Sequence, residues 1–335
     1  MSFKVGVTRD LLTASGDPCF NPAAFEELAR NPDIDWTWLP DNIPEITPDI
    51  AAEYDGLHIN LPRITKATLA RDNCRVRVIA RNGVGYDTVD LEAATRRNIV
   101  VTNTPLAVRR PVAVATLTLI FALAGRLFEK DRIVRQGRWN DRVEFMGTGL
   151  TTRTLGLVGA GSIGREIIKL AQPFFGTVLA FDPFVDADTI AASGGTKTEF
   201  EHLLAESDFV VACCLLTDET RHLINADAFA RMKPTARFIN MARGPVHDET
   251  ALAAALQSGQ IAAAGLDVTE NEPIASDSPL LAMDNVIITP HALCWTDECF
   301  EDIARTALRS IVDVSLGIRP RHVVNEDAAH ALKAP

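Results

Sequence analysis

Short apolar runs alternate with helical patterns along the first third of the chain. The runs predict strands, and the segments between them predict helices at about residues 22–30 and 89–97. The predicted strands are residues 4–8, 36–39, 56–59, 76–80 and 99–102. Strands that alternate with helices form parallel sheets, so we expect a layered α/β domain in this part of the chain.

A long apolar helix follows, at about residues 110–128, with Pro111 in its first turn. It is apolar nearly all round, so we expect it to be buried between domains or subunits. A membrane span is the competing interpretation, but Arg109, Arg110 and Arg126 bracket only about 15 residues, fewer than the ~20 that a span needs.

A second α/β series comes after this helix. Its predicted strands are residues 154–158, 178–181, 209–215, 237–241, 263–268 and 286–288, and a helix follows at 297–316. We therefore expect two parallel-sheet domains, with the chain returning to the first through its C-terminal helix.

Composition and charge exclude or disfavour several classes of protein. The 335 residues correspond to about two domains, and 47% hydrophobic with 23% charged residues excludes a mainly disordered chain. The net charge of −11 argues against nucleic acid or an anionic membrane as a partner. The N-terminal residues read as a strand rather than a secretory signal, so we expect a cytoplasmic protein.

The six cysteines, at 19, 74, 213, 214, 294 and 299, form no C-x-x-C pair or Cys/His cluster, so no metal site is predicted. Cys213 and Cys214 are adjacent in an apolar run. We expect at least one of them to pack as a small hydrophobic residue in a strand.

A glycine-rich motif, Gly159-Ala160-Gly161-Ser162-Ile163-Gly164, directly follows a predicted strand and opens a helix. The first glycine suits a tight turn, the second the approach of a pyrophosphate, and the third close helix–strand packing. Asp182 ends the next predicted strand, where a carboxylate can bind a ribose 2′-hydroxyl and repel a 2′-phosphate. The alternative for Asp182 is a solvated turn. The motif predicts an NAD site formed by Gly159, Gly161, Ser162, Ile163, Gly164 and Asp182.

Later motifs make the chain resemble the D-isomer-specific 2-hydroxyacid dehydrogenase family, which includes phosphoglycerate dehydrogenases and glyoxylate/hydroxypyruvate reductases. The resemblance runs from about residue 3 to 325. The motifs are Gly83-Val84-Gly85-Tyr86-Asp87, Asn240-Met241-Ala242-Arg243-Gly244, Gly265-Leu266-Asp267-Val268, Glu272-Pro273, Thr289-Pro290-His291 and Val323-Val324-Asn325. The resemblance implies an α/β fold in which a Rossmann dinucleotide-binding domain, residues 103–295, is inserted into a flavodoxin-like substrate domain, residues 1–102 and 296–335.

The residues of these motifs suit the oxidation of a 2-hydroxy acid. His291 is the natural acid/base, since imidazole exchanges protons near neutral pH. Glu272 would hold the imidazole in one tautomer and stabilise its protonated form, and Arg243 offers a planar fork for a carboxylate. Each residue also has a plainer interpretation. His291 could cap a loop, Glu272 could open an ordinary turn, and Arg243 could form a surface ion pair. All three follow predicted strands, at the edge where parallel sheets bind ligands.

Further roles are implied by the resemblance. The backbone N–H groups of Val84 and Gly85 would bind the substrate carboxylate, although a tight turn would also favour glycine there. Asp267 would lie near the nicotinamide amide, and Thr104 is a weaker cofactor candidate. We also hypothesise that Trp295 narrows the substrate pocket. The family's pairing through the apolar helix and the 137–139 arm implies a homodimer.

The chain departs from the family pattern at several positions. Val114 stands where the family often has glutamate, and Cys213 and Leu215 stand where it usually has histidine and proline. The loop Asn60-Leu61-Pro62-Arg63 lacks the polar or basic pair common in phosphoglycerate members. Arg63, Arg81, Arg109 or Arg110 could substitute for it, but a short substrate such as glyoxylate or hydroxypyruvate is favoured over phosphoglycerate. The alternative from another class is an NAD(H)-sensing, co-repressor-like binding protein on the same fold.

Overall fold

The computed structural model describes residues 2–330 and Leu332 and divides into two compact units. The first unit comprises Met1–Val108 with Trp295–Pro335, and the second comprises Arg109–Cys294. The first unit is therefore built from both ends of the chain.

The strands in chain order are β1 (Phe3–Val7), β2 (Ile34–Trp38), β3 (Gly56–Ile59), β4 (Val78–Arg81), β5 (Val100–Thr102), β6 (Thr154–Val158), β7 (Thr177–Phe181), β8 (Thr196–Lys197), β9 (Phe209–Ala212), β10 (Arg237–Asn240), β11 (Ala263–Leu266) and β12 (Val286–Ile288).

The α-helices are α1 (Pro48–Glu53), α2 (Leu91–Arg96), α3 (Pro105–Gly125), α4 (Leu127–Arg135), α5 (Ser162–Ala171), α6 (Ala187–Ala191), α7 (Phe200–Glu206), α8 (Ala226–Arg231), α9 (Glu249–Gln257), α10 (Asp297–Ser315) and α11 (Glu326–His330). Short 3-10 helices cover Arg9–Leu11, Pro22–Arg30, Trp139–Phe145, Gly244–Val246 and Pro279–Ala282.

The first unit is a parallel sheet in the order β2-β1-β3-β4-β5, the flavodoxin-like arrangement. Ala304, Leu308 and Ile311 of α10 belong to the apolar core on one face. A second core, which includes Leu57 and Ile79, covers the other face. Burial on both faces explains the continuous apolar runs from which these strands were predicted.

The second unit is a parallel sheet in the order β12-β11-β10-β9-β6-β7-β8. Its first six strands in chain order have the Rossmann arrangement, and β12 extends the sheet beyond β11. The predicted fold class, two parallel-sheet α/β domains, is confirmed. The carboxyl ends of β6, β9, β10 and β11 lie at one edge, and the loops that follow them carry the site.

Helix α3 starts earlier than predicted. It begins at Pro105, so Pro111 lies inside the helix instead of in its first turn. It ends where Arg126 adopts a left-handed conformation, and α4 follows. In length and composition α3 could span a membrane, but more than half of its apolar window is buried. Its residues Leu117 and Ile120 belong to a core of the second unit.

Strand β9 is shorter than predicted. It ends at Ala212, level with Asn240 of β10, and the Cys213 N–H then donates to the Val158 carbonyl. The prediction that a cysteine of this pair lies in the strand is therefore wrong. Both cysteines pack as small hydrophobic groups against the cores, but in the loop after the strand.

Candidate active site

Two glycines of the glycine-rich loop are required by the protein's own packing. Gly159 has a left-handed φ of +106°, and a Cβ there would lie 2.7 Å from the Cys214 nitrogen. A Cβ on Gly164 would lie 2.3 Å from the Gly159 carbonyl oxygen, so α5 approaches the turn too closely for any side chain. The turn and the helix–strand contact expected from the motif are both present.

Gly161 is different, because nothing in the protein requires it to be glycine. Its φ is −65°, and a Cβ built on it meets no atom within 4 Å. It precedes the first turn of α5, which no side chain among the described residues caps. The first N–H groups of a helix have no partner inside it and carry partial positive charge. Open space in front of such a helix end fits a pyrophosphate, and so this loop fits NAD.

Asp182, at the end of β7, supports this loop. Its Oδ2 accepts a hydrogen bond from the Ala160 N–H at 2.8 Å, and its Oδ1 accepts from Phe184 and Val185 at 2.9 and 3.1 Å. A carboxylate has about four lone-pair sites, so three backbone bonds leave it acceptor capacity for a ribose hydroxyl.

Cys213, at the family's usual histidine position, also holds the loop. Its thiol donates to the Gly159 carbonyl oxygen with Sγ–O at 3.0 Å. Burial raises the pKa of the Cys213 thiol, so the group stays protonated and remains a donor. Burial likewise raises the pKa of Cys214 to about 11.

Glu272 and His291 form the centre of the candidate site. Glu272 lies in the segment after β11 and His291 in the segment after β12. The Nδ1 atom of His291 lies 2.9 Å from Oε2 of Glu272, and each side chain is 42% exposed. The imidazole is therefore oriented by the carboxylate while remaining open to a ligand.

The charges around Glu272 keep it ionised. Partial burial alone would raise the pKa of Glu272, but the hydrogen bond and charge of His291 outweigh it. The N–H of Thr269 and the charge of Arg243 add to this effect, and the pKa lies below the usual glutamate value. Arg243 thus lies near enough to Glu272 for its charge to act on this carboxyl.

Asp267 organises the backbone around His291. It is 3% exposed, and its Oδ1 accepts from the Thr289 hydroxyl at 2.6 Å and from the N–H groups of Ala292 and Leu293 at 3.0 and 3.1 Å. His291 has a φ of +54°, which is uncommon for a side chain of this size. Asp267, predicted as a cofactor residue, therefore holds the histidine loop in its left-handed conformation.

Arg243 lies in the loop after β10, and buried contacts fix that loop. Asn240 accepts from the Ala242 N–H and donates to the Arg243 carbonyl oxygen, each at 2.9 Å. A Cβ on Gly244 would lie 1.8 Å from the Thr269 carbonyl oxygen. The arginine loop is thus packed directly on the segment that leads to Glu272.

The predicted substrate loop belongs to the first unit. The carbonyl oxygens of Gly83, Val84 and Gly85 accept from the Thr104 N–H, the Asn103 amide and the Arg81 guanidinium. Within the part of the chain that the structure describes, the Val84 and Gly85 N–H groups have no hydrogen-bond partner. A loop held by its carbonyls with free N–H groups suits a carboxylate.

Thr104 and Trp295 also lie in the first unit. Thr104 is fully buried, and its hydroxyl accepts from the Gly83 N–H at 3.0 Å, so its side chain supports the substrate loop. Trp295 is half-exposed, with its ring centroid 4.8 Å from that of Phe300. Contact of either residue with a ligand stays a prediction.

Sequence reasoning missed the residues behind the catalytic loops. Asn240 stands in the quoted arginine motif, and a buried amide three residues before Arg243 could have been inferred from it. Nothing in the local pattern marks Asp267 as the acceptor for residues more than 20 positions later. Among the described residues, no group of three His, Cys, Asp or Glu side chains could hold a metal ion.

Comparison with known proteins identifies the family of the chain. Residues 117–292 match the family model described as the NAD-binding domain of D-isomer-specific 2-hydroxyacid dehydrogenases. The chain is 39% identical over 256 residues to a glyoxylate reductase from Korarchaeum cryptofilum, covering 76% of this chain and 77% of that protein. It is 37% identical over 277 residues to a D-3-phosphoglycerate dehydrogenase from Synechocystis sp., covering 83% of this chain. The chain spans about half the length of that relative.

A solved structure shows the same architecture. The crystal structure of D-lactate dehydrogenase from Aquifex aeolicus complexed with NAD and lactic acid aligns with a TM-score of 0.84 at 27% identity, covering 96% of this chain and 99% of that chain. The chain belongs to the D-isomer-specific 2-hydroxyacid dehydrogenase family of NAD-dependent oxidoreductases, and residues 117–292 match its NAD-binding domain.

Proposed function

We propose that the protein interconverts a small 2-oxo acid and its D-2-hydroxy acid, using NAD(H) as the hydride carrier. The observation that carries the proposal is the 2.9 Å contact between His291 and Glu272. NAD, when bound by the glycine-rich loop and Asp182, supplies the hydride acceptor for oxidation, and its reduced form supplies the donor for reduction.

His291 handles the proton of the reaction. With Nδ1 donating to Glu272, the Nε2 atom is left to face the substrate oxygen. In reduction the imidazolium gives its Nε2 proton to the carbonyl oxygen, and in oxidation the neutral imidazole takes the hydroxyl proton. The negative charge of Glu272 stabilises the imidazolium in either direction.

Arg243 and the substrate loop bind the acid. The planar guanidinium of Arg243 grips the carboxylate and polarises the 2-oxo group, and the N–H groups of Val84 and Gly85 offer further donors. We place substrate binding in the domain formed by residues 1–102 and 296–335, and dinucleotide binding in residues 103–295. In this assignment Trp295 narrows the pocket.

We favour a short substrate, such as glyoxylate or hydroxypyruvate. The similarity to a glyoxylate reductase over three quarters of both chains supports this choice. Phosphoglycerate is the second candidate, supported by the Synechocystis relative, whose length this chain only half covers.

We further propose that the enzyme is a cytoplasmic homodimer. Cys19, Cys74, Cys213 and Cys214 form no disulfide, as is usual in a reducing compartment. Large exposed apolar side chains are concentrated between residues 114 and 146, which favours a partner surface there. These side chains are Val114, Phe121, Leu127, Phe128, Val134, Trp139, Val143 and Met146.

The test is NADH oxidation with a panel of 2-oxo acids of increasing length, together with 3-phosphohydroxypyruvate. We expect turnover with the short members, and a loss of kcat of at least about 100-fold in His291→Asn. The exposed His202→Asn is the matched control and should keep wild-type rates.

Full activity of His291→Asn would refute the proposed mechanism. Tight NADH binding without turnover of any acid would instead support a sensor that binds the dinucleotide without catalysis.

A further inference from the structure

His247 is a fully buried histidine behind the arginine loop, and the proposed reaction does not use it. It follows the 3-10 turn Gly244–Val246, and its N–H donates to the Gly244 carbonyl oxygen. Its ring lies 5.6 Å from that of Phe238 between centroids. Its Nδ1 atom is 2.9 Å from the side-chain nitrogen of Asn240.

The hydrogen bonds fix the tautomer of His247. Asn240 accepts the Ala242 N–H with its oxygen, so its amide nitrogen must face both the Arg243 carbonyl oxygen and His247. That nitrogen donates one hydrogen to each. Nδ1 of His247 is therefore an acceptor, and the ring proton lies on Nε2. Burial lowers the pKa of His247 to about 4, so the ring is neutral at pH 7.

The Nε2 atom of His247 has no partner among the described residues. A buried N–H without a partner costs free energy, which an apolar side chain of the same size would avoid. What the imidazole provides, and an apolar side chain would not, is a hydrogen-bond acceptor, the Nδ1 atom. Without it, one Asn240 hydrogen would lack a partner, and the amide could rotate away from the Arg243 carbonyl.

We propose that His247 is a positioning residue for Arg243. It holds Asn240 in the orientation that fixes the Arg243 backbone, and so sets the guanidinium against the substrate carboxylate. The inference rests on the proposed role of Arg243 in binding the acid.

The test separates the acceptor atom from the volume of the ring. His247→Leu keeps the volume and removes the acceptor, whereas His247→Asn places an oxygen near the Nδ1 position and loses volume. We expect His247→Leu to raise KM for the 2-oxo acid about tenfold with an unchanged Kd for NADH. His247→Asn should stay within about twofold of the wild-type KM, even though its Tm falls.

A purely structural role predicts the opposite order, because the smaller Asn would leave the larger cavity. A wild-type KM in His247→Leu, or a KM in His247→Asn as poor as in His247→Leu, would overturn the proposal. If His247→Leu does not fold, His247→Val, which is close to Asn in size, takes its place in the comparison.

Arg243→Gln distinguishes this inference from the function on which it rests. Wild-type turnover in Arg243→Gln would refute the proposed role of the arginine itself. Lost turnover in Arg243→Gln with an unchanged KM in His247→Leu would refute only the role of His247.

Discussion

A single oxygen of the Asp267 carboxylate accepts three hydrogen bonds from the residues on either side of His291. The sequence identified both residues as functional, because their motifs are compact and ordered. The family resemblance implies that Asp267 also lies near the cofactor, which stays a prediction, but a motif does not show which distant donors a carboxylate meets in the fold. His247 was not predicted for the same reason, because its hydrogen bond with Asn240 exists only in the folded loop.

Removing the Asp267 carboxylate should release the histidine loop. We expect Asp267→Ala to lower kcat by about 10- to 100-fold, because His291 loses its left-handed conformation and its alignment. Asp267→Asn keeps an acceptor oxygen and should lose less. Steady-state kinetics and the Kd for NADH check this, and an Asp267→Ala enzyme with normal kcat would contradict it.

The lowered pKa of Glu272 makes stability depend on pH. A carboxyl whose pKa is lower in the folded state stabilises the protein above its unfolded-state pKa, about 4.3, and this stabilisation is lost as pH falls through the folded-state value. We expect the Tm of the wild type to exceed that of Glu272→Gln by a constant amount between pH 6 and 5. The gap should narrow as the pH falls below about 4.3. A gap that persists unchanged to pH 3 would contradict the assignment.

At the level of elements, the predicted strands were placed to within a few residues, because most of them, such as β3, β4 and β9, are fully buried apolar runs. The short helices α1, α6, α7 and α8 were not predicted, since five to seven residues hold too little of the helical period. The start of α3 was misplaced because proline is also tolerated beyond the first turn of a helix that tertiary packing stabilises.

Two glycines in the loop between β6 and α5 allow an effect on packing to be distinguished from an effect on ligand binding. Adding one methyl group at each glycine tests one of the two. Gly161→Ala should fold with a nearly unchanged Tm, because its Cβ enters open space, but weaken NADH binding about tenfold. Gly164→Ala should instead lose roughly 2 kcal/mol of stability or more, because its Cβ meets the Gly159 carbonyl. Thermal unfolding and NADH fluorescence titration check both. Unchanged NADH affinity in Gly161→Ala would contradict the pyrophosphate site.

At the scale of the whole molecule, the sequence predicted that the apolar helix α3 is buried between domains or subunits. Within this chain only part of its surface is buried. Leu117 and Ile120 of α3 are buried in a core, whereas Val114 and Phe121 are largely exposed. The adjoining 3-10 helix exposes Trp139 and Val143 by 61% and 66%. Their number and size favour a second copy of the chain.

Charge on that surface should therefore dissociate the dimer. We expect Trp139→Glu to sediment as a monomer at micromolar concentration, while wild type and the control Ile318→Glu, at an exposed apolar position elsewhere, remain dimeric. Folding of each variant is checked by circular dichroism. A wild-type protein that sediments as a monomer would refute the dimer.

The first unit combines an N-terminal and a C-terminal segment, so its core cannot be completed during biosynthesis until the C-terminal segment has been made. Helix α10 supplies Ile311, whose methyl group lies against Gly56 of β3, and several other buried residues of the core on one face of that sheet. While the ribosome translates the second unit, Arg109–Cys294, one face of the N-terminal sheet lacks the part of its cover that α10 provides, although the second unit already has all its strands. Nascent chains stalled before residue 297 therefore present an apolar sheet face to chaperones.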